Sequence, residues 1–316
     1  MMGRNRSSVA RLPLALLALA VPGCFRPSVR EPQEWLAATP LEAGTFERKL
    51  TVGDSKRTYI VHVPPGHRPD EPLPVVLDFH GWGSTANAQA FYSGLDLEAD
   101  SAGFLAVHPQ GTGWFSSWNA GPCCGSAASD HVDDVAFVDA VLDDLAHLAT
   151  LDQARIYATG ISNGAMMAYR LACERPERIA AIAAVSGAVH LDPCNTSRPV
   201  PVLHIHGAKD EIAPFAGGSR WWSSYNAASV TEVVAEWAAR DGCDAASQPA
   251  LDQGEVSCRA YPECRGGAEV ELCVVAGGGH TWPGARLDIS GLGHSTEDLN
   301  ATDFMWRFFE RHPLSR

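Results

Sequence analysis

Short apolar segments alternate with longer helical patterns along most of this chain, and this alternation constrains the fold more than any other feature. The apolar segments lie at 75–79, 104–107, 155–159, 179–185 and 200–206, after an alternating, half-exposed segment at 57–63. Helical patterns occupy 134–148, 163–174, 229–240 and 296–311. Short, continuous apolar runs are typical of strands that are buried on both faces. The pattern therefore predicts an α/β fold, with a mostly parallel central sheet and helices on both faces.

Composition limits the classes of function that are possible. Of the 316 residues, 46% are hydrophobic, which is enough to bury a sizeable core and too many for a disordered chain. Lys and Arg number 24 against 37 Asp and Glu, so the formal net charge is -13. A surface of this charge repels phosphate backbones, and we therefore expect no nucleic-acid partner.

The N-terminus has the pattern of an export signal. Basic residues precede an apolar run at 12–21 that is too short to span a bilayer, and Cys24 follows in a sequence similar to a lipoprotein box. We predict a lipoprotein-type signal peptide at 1–23, lipidation of Cys24 and a flexible tether at 24–44; cleavage by an ordinary signal peptidase is the alternative. Removal of three arginines would leave the mature chain at -16. The expected location is the bacterial cell envelope, as a periplasmic or surface lipoprotein that contacts the membrane only through its lipid, or the medium after secretion.

The strongest chemical motif follows one of the buried strands. The sequence Gly-Ile-Ser-Asn-Gly at 160–164 comes directly after the strand at 155–159 and opens the helix at 163–174. A G-x-S-x-G sequence between a strand and a helix is typical of a nucleophile elbow, whose tight turn exposes the serine hydroxyl. Ser162 is therefore the predicted nucleophile, and a simple turn is the alternative.

A serine nucleophile requires a base and an acid that orients the base. His280 follows an apolar strand within a glycine-rich loop, and it is the predicted base. Asp210 follows the strand at 200–206, between nucleophile and base in chain order, and it is the predicted acid. His204 and His206 alternate on that strand and could ligate a metal. Because no third ligand has suitable spacing, we favour a packing role and predict no metal and no cofactor.

Two backbone N–H groups must stabilise the oxyanion that forms on the attacked carbonyl. One is expected from Asn163, the residue after the nucleophile. The second is expected from Trp82, because the strand at 75–79 runs into the sequence His-Gly-Trp-Gly at 80–83, which is similar to the oxyanion loop of lipases and esterases. His80 lies beside glycines, and we expect it to brace this loop rather than to act as a base.

Several stretches together resemble one known family, the secreted esterase and polyhydroxybutyrate-depolymerase family that includes bacterial feruloyl esterases and depolymerase-like lipoproteins. These stretches lie at 80–83, 118–125, 132–137, 160–164, 203–210 and 277–284. The resemblance covers most of 45–312, and it implies an α/β-hydrolase fold in a single catalytic domain at 45–316. It also implies a catalytic triad at Ser162, Asp210 and His280. The sequence Ala-Lys-Asp at 208–210 departs from the more usual Thr-Ala-Asp of the family without moving the aspartate.

These observations predict an exported serine esterase that forms an acyl-enzyme and hydrolyses feruloyl, acetyl, short-chain or hydroxyalkanoate esters. The alternatives are a polyhydroxybutyrate depolymerase, a non-catalytic surface binding protein and a serine peptidase on the same fold. Trp118 and Trp282 lie close to the predicted site loops in sequence, and their rings could stack on a substrate. The expected partner is a small or oligomeric ester, and the sequence does not specify the oligomeric state.

The cysteine count fits an oxidising compartment. Of nine cysteines, eight remain when Cys24 is assigned to the lipid anchor, and an even set can form disulfides. A hairpin formed by 255–261 and 268–275 would place Cys258 opposite Cys273, so these two are expected to pair. Adjacent cysteines seldom bridge each other. The other expected pairs are Cys243 with Cys264, and Cys123 and Cys124 separately with Cys173 and Cys194.

Overall fold

The computed structural model describes residues 41–220, 223–244 and 246–315. The predicted signal peptide at 1–23, the lipidation of Cys24 and the tether up to residue 40 lie outside these described residues. The last part of the predicted tether belongs to the folded unit, because Leu41 is buried and donates its backbone N–H to the carbonyl of Leu148. None of the helices in the described ranges combines the length and the apolar character that a membrane span needs.

The strands confirm every strand segment that the sequence predicted and add others, two at the edges of the large sheet and two in a separate pair. In chain order they are β1 (Gly44–Val52), β2 (Ser55–Val63), β3 (Leu73–Phe79), β4 (Leu105–Pro109), β5 (Leu151–Ile161), β6 (Ala181–Val185), β7 (Val202–Gly207), β8 (Gly218–Arg220), β9 (Ser223–Ala227), β10 (Gln248–Gln253), β11 (Val256–Tyr261) and β12 (Val270–Val275).

One large sheet organises the described part of the chain, with strand order β1-β2-β4-β3-β5-β6-β7-β12-β11-β10. Neighbouring strands from β4 to β12 in this order are parallel, whereas β1, β2, β10 and β11 pair antiparallel at the two edges. Strands β8 and β9 pair separately. The mostly parallel sheet is confirmed, and the carboxyl ends of its central strands meet at one edge, where sites form in such folds.

Helices cover both faces of the sheet, as predicted. They are α1 (Ala86–Ser93), α2 (Leu95–Ala102), α3 (Gly125–Ser129), α4 (Asp134–Leu148), α5 (Asn163–Glu174), α6 (Val230–Asp241) and α7 (Ala301–Glu310). Buried residues of α4, α5 and α6 belong to the hydrophobic core on one face, and those of α1, α2 and α7 to the core on the other. Burial of two such layers is the main source of stability in a fold of this kind.

The disulfides agree with the sequence in part. Cys258 pairs with Cys273 directly across β11 and β12, and Cys243 pairs with Cys264. The prediction for the other cysteines is wrong, because the structure pairs the adjacent Cys123 and Cys124 with each other and pairs Cys173 with Cys194. Cys173 lies in the last turn of α5 and Cys194 follows β6. This bridge therefore ties the helix behind the elbow to the connection between β6 and β7 instead of to the loop at 118–125.

Candidate active site

Ser162 occupies the tight turn between β5 and α5. Its φ of 59° and ψ of -123° place a non-glycine residue in a strained, left-handed conformation that local structure must hold in place. Gly160 and Gly164 on either side lie so close to β3 that a Cβ atom at either position would overlap the carbonyl oxygen of Phe79. The two glycines therefore allow the turn to pack against the sheet, with the serine at its apex.

Asp210 and His280 are joined by a hydrogen bond, although they are 70 residues apart in the chain. His280 Nδ1 lies 2.7 Å from Asp210 Oδ2, and both residues are buried. The other carboxylate oxygen of Asp210 accepts the backbone N–H groups of Ile212 at 2.8 Å and Ala213 at 2.7 Å. Burial alone would raise the pKa of Asp210, but hydrogen bonds from His206 and His280 outweigh burial and lower that pKa well below its usual value.

The loop at 80–83 packs against the elbow. A Cβ atom on Gly81 would lie 3.4 Å from the Cβ of Ser162, so the chain runs beside the serine at this point. The two N–H groups that follow Trp82 are directed elsewhere, because Gly83 donates to the carbonyl of Ser116 at 2.8 Å and Ser84 donates to the carbonyl of Gly81. Asn163 is the first residue of α5, and its backbone N–H therefore has no acceptor within the helix. The two predicted oxyanion donors, on Trp82 and Asn163, thus lie on adjacent segments.

His80 is a bracing residue in the structure. Its Nε2 accepts the backbone N–H of Gly111 at 3.0 Å, so Nδ1 carries the proton and donates to Gly81 O at 2.8 Å. Burial lowers the pKa of His80, which favours this neutral form. With both nitrogens engaged in the loop, His80 has no free lone pair with which to act as a base.

Trp118 anchors the loop at 118–125 to the elbow. Its backbone N–H donates to Asn163 Oδ1 at 2.7 Å, its carbonyl accepts from Asn163 Nδ2 at 3.1 Å, and its indole N–H donates to His80 O at 2.9 Å. The ring is fully buried. The prediction that Trp118 contacts substrate is therefore wrong, because its ring is used to hold the elbow and the loop at 80–83 together.

Trp282 is fully buried as well, so the prediction that its ring contacts substrate is also wrong. Its indole N–H donates to Thr302 Oγ1 at 3.0 Å, and Thr302 begins helix α7. Trp282 lies two residues after His280, and it packs the loop that carries this histidine against the core. Exposed aromatic rings in this region include Trp82, with half of its surface exposed, and Phe115 on the loop after β4, whose neighbour Trp114 is also exposed.

A buried ion pair supports the site and was missed in the sequence. Arg57 Nη2 lies 2.8 Å from Asp134 Oδ1, and the other oxygen of Asp134 accepts the backbone N–H of Asn119 at 2.7 Å. Both side chains are buried. The Asp-Asp sequence at 133–134 was part of the family resemblance, but sequence alone gave no signal for which arginine pairs with it.

His204 and His206 do not form a metal site with a third ligand in the described ranges. The described residues contain one geometric cluster of possible metal ligands, formed by Cys258, Glu271 and Cys273. Because the two cysteines are bonded to each other in a disulfide, they offer no thiolate to an ion.

A strained serine at a strand–helix turn, an Asp–His pair later in the chain and a mostly parallel sheet together define an α/β-hydrolase. Residues 66–235 match the phospholipase/carboxylesterase family, and the chain belongs to this family. It is a carboxylic ester hydrolase.

Relatives agree with this assignment, and a solved structure shows the same fold. The chain is 34% identical over 298 residues to "Putative esterase NocK" of Nocardia uniformis subsp. tsuyamanensis, covering 88% of this chain and 83% of that protein. It is 27% identical to "Feruloyl esterase C" of Emericella nidulans, covering 80% and 83%. The acetyl xylan esterase of Aspergillus awamori has the same fold, with a TM-score of 0.58 and 16% identity over 84% of this chain and 99% of that one.

Proposed function

We propose that this protein is an exported serine esterase that uses Ser162 as nucleophile, His280 as base and Asp210 as the orienting acid. The observation that carries the proposal is the 2.7 Å hydrogen bond between His280 Nδ1 and Asp210 Oδ2, in a structure that also holds Ser162 at a strained elbow. An acid bonded to Nδ1 fixes the histidine tautomer in which Nε2 is free to accept a proton.

The proposed mechanism follows from these roles. Ser162 Oγ attacks the ester carbonyl while His280 Nε2 takes the hydroxyl proton, and ionised Asp210 stabilises the resulting imidazolium. The oxyanion accepts hydrogen bonds from the backbone N–H groups of Asn163 and Trp82. His280 then protonates the leaving alcohol, and water hydrolyses the acyl-enzyme by the same steps in reverse order. No cofactor takes part in this scheme.

Exposed aromatic residues near the elbow support esters with a flat or cyclic group as substrates. Trp114 and Phe115 are 95% and 64% exposed, and a Cβ atom on Gly83 in the oxyanion loop would lie 3.7 Å from the Phe115 ring. Exposed rings of this kind stack on aromatic acids and on sugars. We therefore propose feruloyl-type or sugar-linked acetyl esters ahead of short aliphatic ones, in line with the names of the relatives.

Export is part of the proposal. The pairs Cys173–Cys194, Cys243–Cys264 and Cys258–Cys273 are suited to an oxidising compartment. Together with the N-terminal sequence, they favour a cell-envelope lipoprotein attached through Cys24, or a secreted protein.

The decisive experiment replaces Ser162 with alanine. We expect hydrolysis of p-nitrophenyl acetate to fall by about ten-thousand-fold or more, and labelling by a fluorophosphonate probe to be lost, because the proposed mechanism forms its acyl-enzyme on Ser162. Ser129→Ala, at an exposed serine in α3, is the matched control and should label and turn over like the wild type. A folded Ser162→Ala protein that keeps a tenth of the wild-type rate would refute the proposal.

A substrate panel separates the remaining possibilities. Methyl ferulate, acetylated xylan, hydroxybutyrate oligomers and a peptide amide should be compared by kcat/KM. The proposal predicts the highest values for methyl ferulate or acetylated xylan. Preference for hydroxybutyrate oligomers would indicate a depolymerase, and turnover of the amide would indicate a peptidase. Absence of any turnover, with no probe labelling, would indicate a binding protein.

A further inference from the structure

Two buried histidines next to the proposed triad have no part in the mechanism described so far. His204 and His206 lie on β7, and their rings stack with centroids 5.3 Å apart and an angle of 7° between planes. Both side chains are at most 1% exposed. Two ionisable groups buried in contact require a defined arrangement of protons, because an unsatisfied donor or acceptor is costly in the interior.

When His206 is neutral, the hydrogen bonds fix the position of each proton in this cluster. His206 Nε2 lies 2.7 Å from the carbonyl oxygen of Ala213, which can only accept, so Nε2 carries the proton. His206 Nδ1 lies 3.0 Å from His204 Nε2; in a neutral His206, Nδ1 accepts, and His204 Nε2 therefore donates. His204 Nδ1 in turn accepts from the hydroxyl of Tyr169 at 2.8 Å. We call Tyr169, His204 and His206 the histidine chain.

The surroundings of the histidine chain are mostly apolar. The residues in register with the two histidines on the neighbouring strands are Ala184, Leu272 and Val274. On the helix side, the ring of Trp237 in α6 lies 5.6 Å from that of Tyr169. Burial, followed by the proximity of His206, holds the pKa of His204 well below its ordinary value. Burial likewise raises the pKa of Tyr169, so its hydroxyl stays protonated.

Asp210 and His280 are the titratable groups that face this chain. His206 Nε2 lies 3.4 Å from Asp210 Oδ2, the same oxygen that accepts from His280. If His206 took up a second proton on Nδ1, a cation would stand beside Asp210 and compensate the charge that should stabilise the His280 imidazolium. The position that would accept this proton is occupied by the N–H of His204. The phenyl ring of Phe215, 5.9 Å from His206, closes the remaining side without adding a charge.

We propose that the histidine chain keeps His206 neutral, so that the full charge of Asp210 remains available to His280 during catalysis. This inference rests on the proposed function of Ser162, Asp210 and His280, and it makes Tyr169, His204 and His206 positioning residues. For His206 to be protonated, His204 would have to move its own proton to Nδ1. The Tyr169 hydroxyl would then have to turn its proton away from its buried acceptor, and that reversal is unfavourable.

The test is the pH dependence of kcat/KM, whose acid limb reports protonation of the free enzyme. We expect the acid limb of the wild-type profile to fit the uptake of a single proton. His204→Leu removes the N–H that blocks His206, so the limb should steepen towards two protons, with the loss growing to at least tenfold relative to wild type at pH 5.5 and smallest above pH 8. Tyr169→Phe should change the limb in the same direction by a smaller amount, because it removes only the last donor.

Two further variants make the test specific. In His204→Leu/His206→Gln, the glutamine amide can still donate towards Ala213 but cannot titrate, so the limb should return to one proton. Tyr157→Phe is the matched control: Tyr157 is buried on the opposite face of the sheet, and its hydroxyl has no hydrogen-bond partner in the described structure. A loss of kcat/KM that is equal at every pH in His204→Leu and in Tyr169→Phe would show a merely structural role and overturn the proposal. If His204→Leu does not fold, Tyr169→Phe decides the outcome.

A second measurement does not depend on turnover. In Ser162→Ala protein labelled with ¹⁵N-histidine, NMR should show His204 and His206 as neutral rings protonated at Nε2 from pH 6 to pH 8. A ring protonated at Nδ1, or a doubly protonated ring, would overturn the inference. If Ser162→Ala retained activity, the proposed mechanism would fail, while the proton assignment would still be measured independently.

Discussion

Replacing Asp134 with alanine should destabilise the protein by about 3–5 kcal/mol, whereas replacing its neighbour Asp133 with alanine should cost about 1 kcal/mol. The two carboxylates are adjacent in sequence at the start of α4, yet their surroundings differ. Asp134 is fully buried against Arg57, whereas Asp133 is exposed and accepts the backbone N–H of Ala136 at 2.9 Å as a helix N-cap.

The difference in magnitude comes from the charge that each substitution leaves behind. Without Asp134, the guanidinium of Arg57 keeps a single hydrogen bond among those that the described residues show, to Gln110 O at 3.2 Å, and lies 3.9 Å from the Phe137 ring. Burial lowers the pKa of Arg57 and raises that of Asp134, so each charge is unfavourable by itself and is offset mainly by the other. Loss of the Asp133 cap leaves a backbone N–H that water can reach.

Urea unfolding of the oxidised protein at pH 7, followed by circular dichroism, measures both variants. The double variant Arg57→Met/Asp134→Ala should be more stable than Asp134→Ala alone, since it removes the unpaired charge as well. Equal losses for Asp133→Ala and Asp134→Ala, or a double variant less stable than Asp134→Ala, would refute the reasoning from buried charge.

Two other predictions concern stability. Burial would lower the pKa of His108, but the carboxylates of Asp96, hydrogen-bonded at 2.8 Å, and Asp78, at 3.3 Å, raise it to about 9. This raised pKa contributes up to about 3 kcal/mol of stability, which is fully present below about pH 6.5 and is lost as pH rises through 9. The urea midpoint should fall between pH 7 and pH 9.5 in the wild type and less in His108→Gln; an equal fall in both would contradict this. Replacing Cys258 and Cys273 together by alanine should cost about 2–4 kcal/mol by the same assay, because their bridge closes the β11–β12 hairpin; an unchanged midpoint would show that strand pairing alone suffices.

The parts of the fold that the sequence predicts well are those with strong local patterns. The bounds of α4 and α5 agree with the prediction, because α4 has an aspartate N-cap and a continuous apolar face and α5 begins at the elbow. Strands β1 and β10 were missed because their residues are mostly exposed and lack an apolar run. Helices α1 and α2 have eight residues each and were missed because a short helix gives little periodicity.

The candidate site likewise contains residues with a clear local pattern and residues whose role depends on tertiary packing. Ser162, Asp210 and His280 could be predicted because each follows a strand within a recognisable short sequence, and strand order brings such ends together. Trp118 and Trp282 were assigned to substrate from their position in the sequence, but burial depends on tertiary packing that no local pattern records. The pairing of Cys123 with Cys124 likewise depends on the path of a loop.

Buried polar contacts link the sequence stretches at 80–83, 118–125, 132–137 and 160–164 in this chain. His80 O accepts from the indole of Trp118, the backbone of Trp118 pairs with the side chain of Asn163, and the next backbone N–H of that loop is held by Asp134. Each stretch therefore supplies a partner that another leaves unsatisfied, and the two proposed oxyanion donors flank this network. Because the network is buried, loss of one member leaves its hydrogen-bond partners unpaired in the interior, which is unfavourable. Asp134→Ala should accordingly reduce kcat as well as stability, although Asp134 lies outside the proposed triad.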